Sequence, residues 1–474
     1  MDISKFKEKY TDNKGDFHDN FQTTIKLLPF ITNISTEAYD ETCGFNGVVG
    51  GFFRNLSHDK VEPIKNSHKD VVDRVGEYLR EQSKMSEEKI NKLKSVVENI
   101  LCPDGNFRAI DSSFLKYYPF RYIGEGKEGK KDKYVKGQAK FADYISCMMD
   151  DFLDDEKIKG RNDLFTQIVK RALSPTVPNE KDQPSGEHYD ILPFVKEQFK
   201  HDFKWLLEKQ DAVLIKYIGI FIYFYECYSI LQTLLHIGSK HCDGENDGKA
   251  IRLYNILNEE KTSMKSEAVT YGWESRLGKS DIEKTFANVQ ALDILNILTG
   301  AKSGFYGEVM ARLHEEPLNQ NKEACEDVLK FYKIQKRDHV NSRRTSKKKD
   351  SNIPLTVDSY DDFVKKLGIL CRDLQDDNYN RLKKRIYDLF TIRFLSLRRG
   401  KYILAIDNEM LIFLIAMFTQ ERKTKLKDMY ARFLEYGIVF NMNTKRRIEQ
   451  YLLKLNLLER KSDSGEAQYV RVVL

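Results

Sequence analysis

The stretch from Ala212 to Ile237 limits the fold more than any other part of this sequence. It is the most apolar part of the chain, interrupted by Lys216, Glu226, Ser229 and Gln232. A helix that is apolar all round has to be enclosed, by protein or by lipid. Its longest unbroken run, Tyr217 to Tyr225, covers less than half of the ~20 residues needed to span a bilayer. The sequence therefore predicts a buried helix at the centre of a large domain, with no transmembrane role. Something must surround that helix, and the 474 residues of the chain are enough for two or three domains.

The surrounding sequence is helical in pattern. From Ser86 to Leu101, Ile90, Leu93, Val96, Val97 and Ile100 form a stripe opened by a Ser cap and two acids. Similar stripes run over Phe141 to Leu153, Leu164 to Leu173 and Ile282 to Leu298, while strand alternation is scarce before residue 330. Two segments have loop composition: Gly124 to Lys133, and Ser174 to Gly186 with its three prolines. Lys336 to Pro354 has almost no apolar content and predicts an exposed, mobile linker. A helix around Ser359 to Leu374 and a basic one around Tyr379 to Leu395 follow.

The last seventy residues give a distinct pattern. Asn408–Phe418 is an apolar helix, and Lys425–Tyr436 is a second one ended by Gly437. Asn443 or Thr444 caps a third, Lys445–Leu455, with Ile448, Leu452 and Leu455 on its apolar face. Leu457 to Val473 then reads as strand, turn at Gly465, strand. Helix, helix, turn, helix, hairpin is the order of a winged helix-turn-helix. The expected fold is mainly α: a helical body over 1–335, a basic polar linker over 336–354, a basic helical connector over 355–400 and a winged helix-turn-helix domain over 401–474.

Charge points the same way. Lys plus Arg exceed Asp plus Glu by only 6 overall, but the 142 residues from Lys333 onward carry a net +13 and the rest a net −7. A mildly acidic body with a basic C-terminal third suggests polyanion binding in that third. In the DNA-binding version of the fold the third helix enters the major groove and the hairpin touches the backbone. Lys445, Arg446, Arg447 and Gln450 would then face double-stranded DNA from the helix, and Arg460 and Lys461 from the wing. The acids Glu449, Glu459, Asp463 and Glu466 dilute this patch, and winged helices inside large assemblies often bind protein instead. Seven scattered cysteines without a CxxC pair, and a polar N-terminus without a signal-peptide core, predict reduced thiols in a cytoplasm.

Catalytic motifs are incomplete. Gly278-Lys279-Ser280 ends like a P-loop, but the first glycine position is Trp273 and Gly272 is one residue too early. Tyr402 to Asp407 resembles a strand presenting a magnesium-binding Asp, a pattern that many short strands share. Asp104 with Glu125 and Lys127 matches a loose metal-dependent nuclease pattern, although the glycines at 124, 126 and 129 make the second half a loop. His236 with His241-Cys242 lacks both helical spacing and a second ligand cluster. Gly44 to Gly51 has no preceding strand, so close helix packing explains its glycines better than a dinucleotide. The sequence predicts no enzyme, cofactor or metal.

The segment Leu455 to Arg471, following Tyr436-Gly-Ile-Val-Phe440, resembles the end of the DptG family, also called DndG. That family is the G subunit of the bacterial restriction system dependent on DNA phosphorothioation. The likeness covers about the last 75 residues closely and the body in general character. It implies an anti-phage defence role beside F and H subunits, to which the ATPase and DNA-damaging functions are attributed. The family brings no catalytic motif and no established site residues. The sequence thus predicts a non-catalytic complex subunit that scaffolds ATPase and nuclease partners and contacts DNA, with no membrane partner. A metal-dependent nuclease acting alone and a winged-helix transcriptional regulator are the alternatives.

Overall fold

A computed structural model describes residues 1–13, 15–18, 22, 26–29, 45–57, 68–120, 128–149, 163–173, 188–238, 248–261, 263, 265–301, 305–343, 349–375, 378–420, 422–460 and 468–471. The structure is mainly helical. The first part contains α1 (Ile3–Lys9), α2 (Asn46–Leu56), α3 (His68–Gln82), α4 (Glu87–Leu101), α5 (Glu128–Ser146), α6 (Leu164–Leu173), α7 (Pro193–Leu207) and α8 (Asp211–Gly238). Strand β1 (Leu253–Leu257) follows. Next come α9 (Glu267–Thr270), α10 (Trp273–Leu277), α11 (Lys279–Thr299), α12 (Tyr306–Leu313), α13 (Leu318–Arg343), α14 (Tyr360–Asp373) and α15 (Asn378–Phe390). The C-terminal part is β2 (Leu395–Arg398), β3 (Lys401–Ile406), α16 (Asn408–Thr419), β4 (Thr424–Lys425), α17 (Leu426–Glu435), β5 (Ile438–Phe440), α18 (Met442–Lys454), β6 (Leu458–Arg460) and β7 (Gln468–Val470).

Helix α8 is the apolar helix expected at the core. It is long and apolar enough to cross a membrane by length and composition, yet every residue from Phe221 to Ile237 is buried in the fold. Phe199 and Phe203 of α7, one helical turn apart, press on Phe221 and Tyr225 of α8, with Phe199 5.2 and 5.0 Å from those rings. Phe52 of α2 closes this aromatic cluster at 5.3 Å from Phe203. The glycines of α2 let it approach that closely. A Cβ on Gly50 would lie 2.2 Å from the Tyr118 carbonyl, and one on Gly51 2.5 Å from the Ala142 Cβ. The Gly-rich segment is therefore helix packing, as its sequence context suggested.

One strand of the body was not foreseen. β1 lies between β3 and β5, parallel to both, in a four-stranded sheet of order β2-β3-β1-β5. Ile256 pairs with Ala405 on one side and Tyr254 with Val439 on the other. The antiparallel hairpin β2–β3 turns through Arg399 and Gly400, both at positive φ (47° and 78°), as a two-residue turn of type I′ requires. β1 is a buried parallel strand of five residues, so it lacks the alternation that marks a half-buried one.

The expected linker also differs. Lys336 to Arg343 continue α13, with Lys336 and Val340 buried. Beyond them, Asn341 holds Lys349 through two hydrogen bonds of 3.0 and 2.8 Å, and the buried Ser351 donates to Asp373 at 2.9 Å. The apolar residue that anchors this helix end, Val340, stands alone among charges, so composition concealed it. The predicted loop over Gly124 to Lys133 becomes helical from Glu128. Ser174 to Gly186 lies outside the described residues.

Candidate nucleic-acid interface

The three C-terminal helices occur where the sequence placed them, with a second, three-stranded sheet of order β4-β7-β6 beside them. α16 begins at the N-cap Asp407, whose carboxylate accepts from Met410 N at 2.8 Å. It is buried against the body, where Phe413 stacks on Tyr217 at 5.3 Å. β4 is only two residues long and pairs with β7, Thr424 opposite Val470. Two residues carry no alternation, so nothing in the local pattern marks this strand.

α18 starts earlier than expected. Asn441, and neither Asn443 nor Thr444, is its N-cap, with the Asn441 side chain accepting from Thr444 N at 2.9 Å. Thr444 turns inward instead, and its hydroxyl donates to the buried Glu260 at 2.9 Å. Thr444, Ile448 and Leu452, at four-residue steps, form the buried stripe. Leu455 does not belong to it: the helix has reached its C-cap there, and the side chain is 44% exposed.

On the opposite side Arg446, Arg447 and Gln450 are exposed and adjacent, at the i, i+3 and i+4 separations that share a helix face. Lys445 lies at the edge of this face. It is half-buried, with its ammonium 4.9 Å from the centre of the Tyr430 ring. In the hairpin, Arg460 opposes Gln468 on the partner strand, while Lys461 lies outside the described residues. Glu459 is neutralised locally: Lys423 pairs with it at 2.6 Å and Arg471 at 3.7 Å. Sequence pattern gave no sign of Lys423 or Arg471. Lys423 reaches Glu459 because β4 joins the sheet, and Arg471 because β7 pairs with β6.

The unit is tied firmly to the body at its turn. Tyr436 follows α17, and its hydroxyl donates to Asp202 of α7 at 2.6 Å; the Tyr225 hydroxyl of α8 donates to the same oxygen at 2.6 Å. His201 Nδ1 reaches the other oxygen at 2.9 Å. Burial pushes the Asp202 carboxyl above the usual carboxylate range, and these three donors oppose the shift. The next residue, Gly437, has φ 70°, and a Cβ there would meet the Ile251 carbonyl at 2.5 Å. This position needs glycine for both reasons.

The enzyme-like fragments have other uses. Asp104 pairs with Arg108 at 2.7 Å, and that hydrogen bond holds its carboxyl below the usual range. Glu125 and Lys127 lie outside the described residues. Asp407 caps α16 and pairs with Arg393 at 3.1 Å. Gly278 sits between two helices, α10 and α11, where a P-loop would require a preceding strand. His236 contacts the carbonyls of Gln232 and Lys249 at 2.8 and 3.2 Å; His241 and Cys242 lie outside the described residues. Among the described residues, no group of three or more His, Cys, Asp or Glu is placed to hold a metal ion.

No protein-family model matches the sequence, and no curated protein does either.

Proposed function

We propose that residues 408–471 form a winged helix-turn-helix and that the chain is a non-catalytic, DNA-contacting subunit of a bacterial anti-phage restriction complex. In this reading α16, α17 and α18 are the three helices, β4, β6 and β7 the winged sheet, and α18 the recognition helix. The observation that carries it is the Arg446, Arg447 and Gln450 face, exposed on the helix that such a fold presents to DNA. Glu459, the acid most able to repel phosphate from the described wing, is already paired with Lys423. The resemblance to the DptG family supplies the setting, a cytoplasmic complex with ATPase and nuclease subunits.

The test is duplex binding by the full chain at several salt concentrations. Removing one cation that neutralises a phosphate should reduce the slope of log affinity against log salt by about 0.9. Arg446→Glu with Arg447→Glu should fold normally and bind DNA far more weakly at low salt. The deficit should shrink as salt rises. Binding curves that overlay the wild type throughout would mean that this face docks protein. Pull-down of the chain from cells co-expressing its operon neighbours tests the complex separately.

A further inference from the structure

The basic character of the C-terminal third is concentrated away from α18. Residues 379–401 hold eight Lys and Arg and one Asp, a net +7 of the +13 carried from Lys333 onward. Residues 402–474 hold twelve Lys and Arg against nine Asp and Glu, a net of only +3. The +7 stretch covers most of α15, then β2 and the first residue of β3. Four of its cations are engaged within the fold. Lys383 pairs with Glu283, Arg385 with Asp388 at 3.9 Å and Arg393 with Asp407 at 3.1 Å, while Arg398 donates to the Asn258 carbonyl. The other four, Arg381, Lys384, Arg399 and Lys401, are exposed and have no ion-pair or hydrogen-bond partner among the described residues. The one acid of the stretch is Asp388, already paired with Arg385.

These four occur as two pairs on one fixed frame. Arg381 and Lys384 are three residues apart on α15 and share a helix face. Lys401 opposes Arg398 across the hairpin, and Arg399 belongs to its turn. Tyr387, one turn beyond Lys384, places its ring 4.4 Å from that of Tyr402, the chain neighbour of Lys401. Trp273 Nε1 donates to the Tyr387 hydroxyl at 3.2 Å, and the Tyr402 backbone N–H donates to the Glu274 carboxylate at 2.6 Å. α10 thus clamps helix and hairpin together and engages the nearby acid. Among the described residues of this stretch, Leu397 is the only large apolar side chain exposed, too little for the apolar core of a protein interface. Free cations without an apolar patch suit a polyanion. Duplex DNA offers a phosphate about every 3.4 Å of axis on each strand, so a fixed group of cations can meet it without reading bases. We propose that α15 and the β2–β3 turn form a second contact to duplex DNA, made to its phosphate backbone. This rests on the DNA reading above for its ligand, but uses neither α18 nor the winged-helix assignment.

The experiment measures duplex binding by the full chain across a range of salt concentrations. The variant carries Arg381→Ala, Lys384→Ala, Arg399→Ala and Lys401→Ala together. Its affinity at low salt should fall by about tenfold or more. The slope of log affinity against log salt should drop by about 0.9 for each cation that meets a phosphate, and by about 2 or more in all. All four side chains are exposed and unpaired, so the variant should keep the wild-type circular dichroism spectrum and melting temperature. A charge-matched control on the body, with the exposed Lys5, Lys84, Lys89 and Lys322 changed to Ala, should leave the slope unchanged. A slope that falls with Arg446→Glu and Arg447→Glu but not with the quadruple variant would overturn this proposal and leave the proposed function standing. The opposite pattern would support this contact and count against α18. Equal loss in the body control would reduce the effect to net charge and overturn the proposal, as would a wild-type chain that binds no duplex at low salt.

Discussion

Helices α8 and α18 treat their polar residues in opposite ways. α8 encloses them. Glu226 is fully buried, and neither of its carboxyl oxygens has a hydrogen-bond partner. α18 buries a single polar side chain, Thr444, and gives its hydroxyl a carboxylate acceptor. It leaves Arg446, Arg447 and Gln450 in water. α8 draws its stability from apolar packing on all sides, enough to carry one uncompensated acid. α18 has a single buried stripe, so each residue of that stripe matters more and the rest of its surface is available for binding.

The largest effect should come from breaking that stripe. Leu452→Asp would place an unpaired charge at a fully buried position, at a cost expected above about 4 kcal/mol. Limited proteolysis should then cut within residues 408–471 while the body survives. Leu453→Asp, one position along and 41% exposed, should change stability by less than about 0.5 kcal/mol. Equal sensitivity of the two positions would mean that α18 does not pack as described.

The counterpart in α8 goes in the stabilising direction. Burial pushes the Glu226 carboxyl well above its ordinary range, so the folded chain keeps a proton that the unfolded chain releases. Stability should therefore fall as pH rises above the ordinary glutamic-acid range of about 4.3. Glu226→Met removes the orphaned polar group at similar volume. It should stabilise the protein by about 1–3 kcal/mol, with a larger gain at pH 8 than at pH 5. Urea unfolding at the two pH values provides the comparison, and an unchanged gap between variant and wild type would refute the assignment.

The smallest effect concerns the tie between the two regions. Tyr436→Phe deletes one of the three donors to Asp202 but leaves Tyr225 and His201 in place. The cost should be about 1 kcal/mol. It should appear as faster amide exchange around residues 436–441, with little change in α8. Uniform exchange across both regions would show that this hydrogen bond does not anchor the turn.

Much of this architecture follows from local pattern. An apolar stretch of 26 residues has to be enclosed, and the periodicity of α18 is enough to assign Ile448 and Leu452 to its inner face. The exposed position of Arg446, Arg447 and Gln450 follows from the same 3.6-residue repeat. Helix geometry links residues three and four apart, so sequence alone can decide such matters.

Other features depend on residues that are distant in the chain. β1 is recognisable as a strand only once β3 and β5, some 150 and 185 residues later, flank it. Lys423 meets Glu459 only when β4 pairs with β7. Asp202 gathers donors from α7, α8 and the turn after α17. No periodicity encodes these meetings, because strand pairing and helix packing bring together residues whose separation along the chain is arbitrary. The sequence determined which faces would be apolar and which charged; the tertiary structure decided which charges would meet each other and which would stay in water.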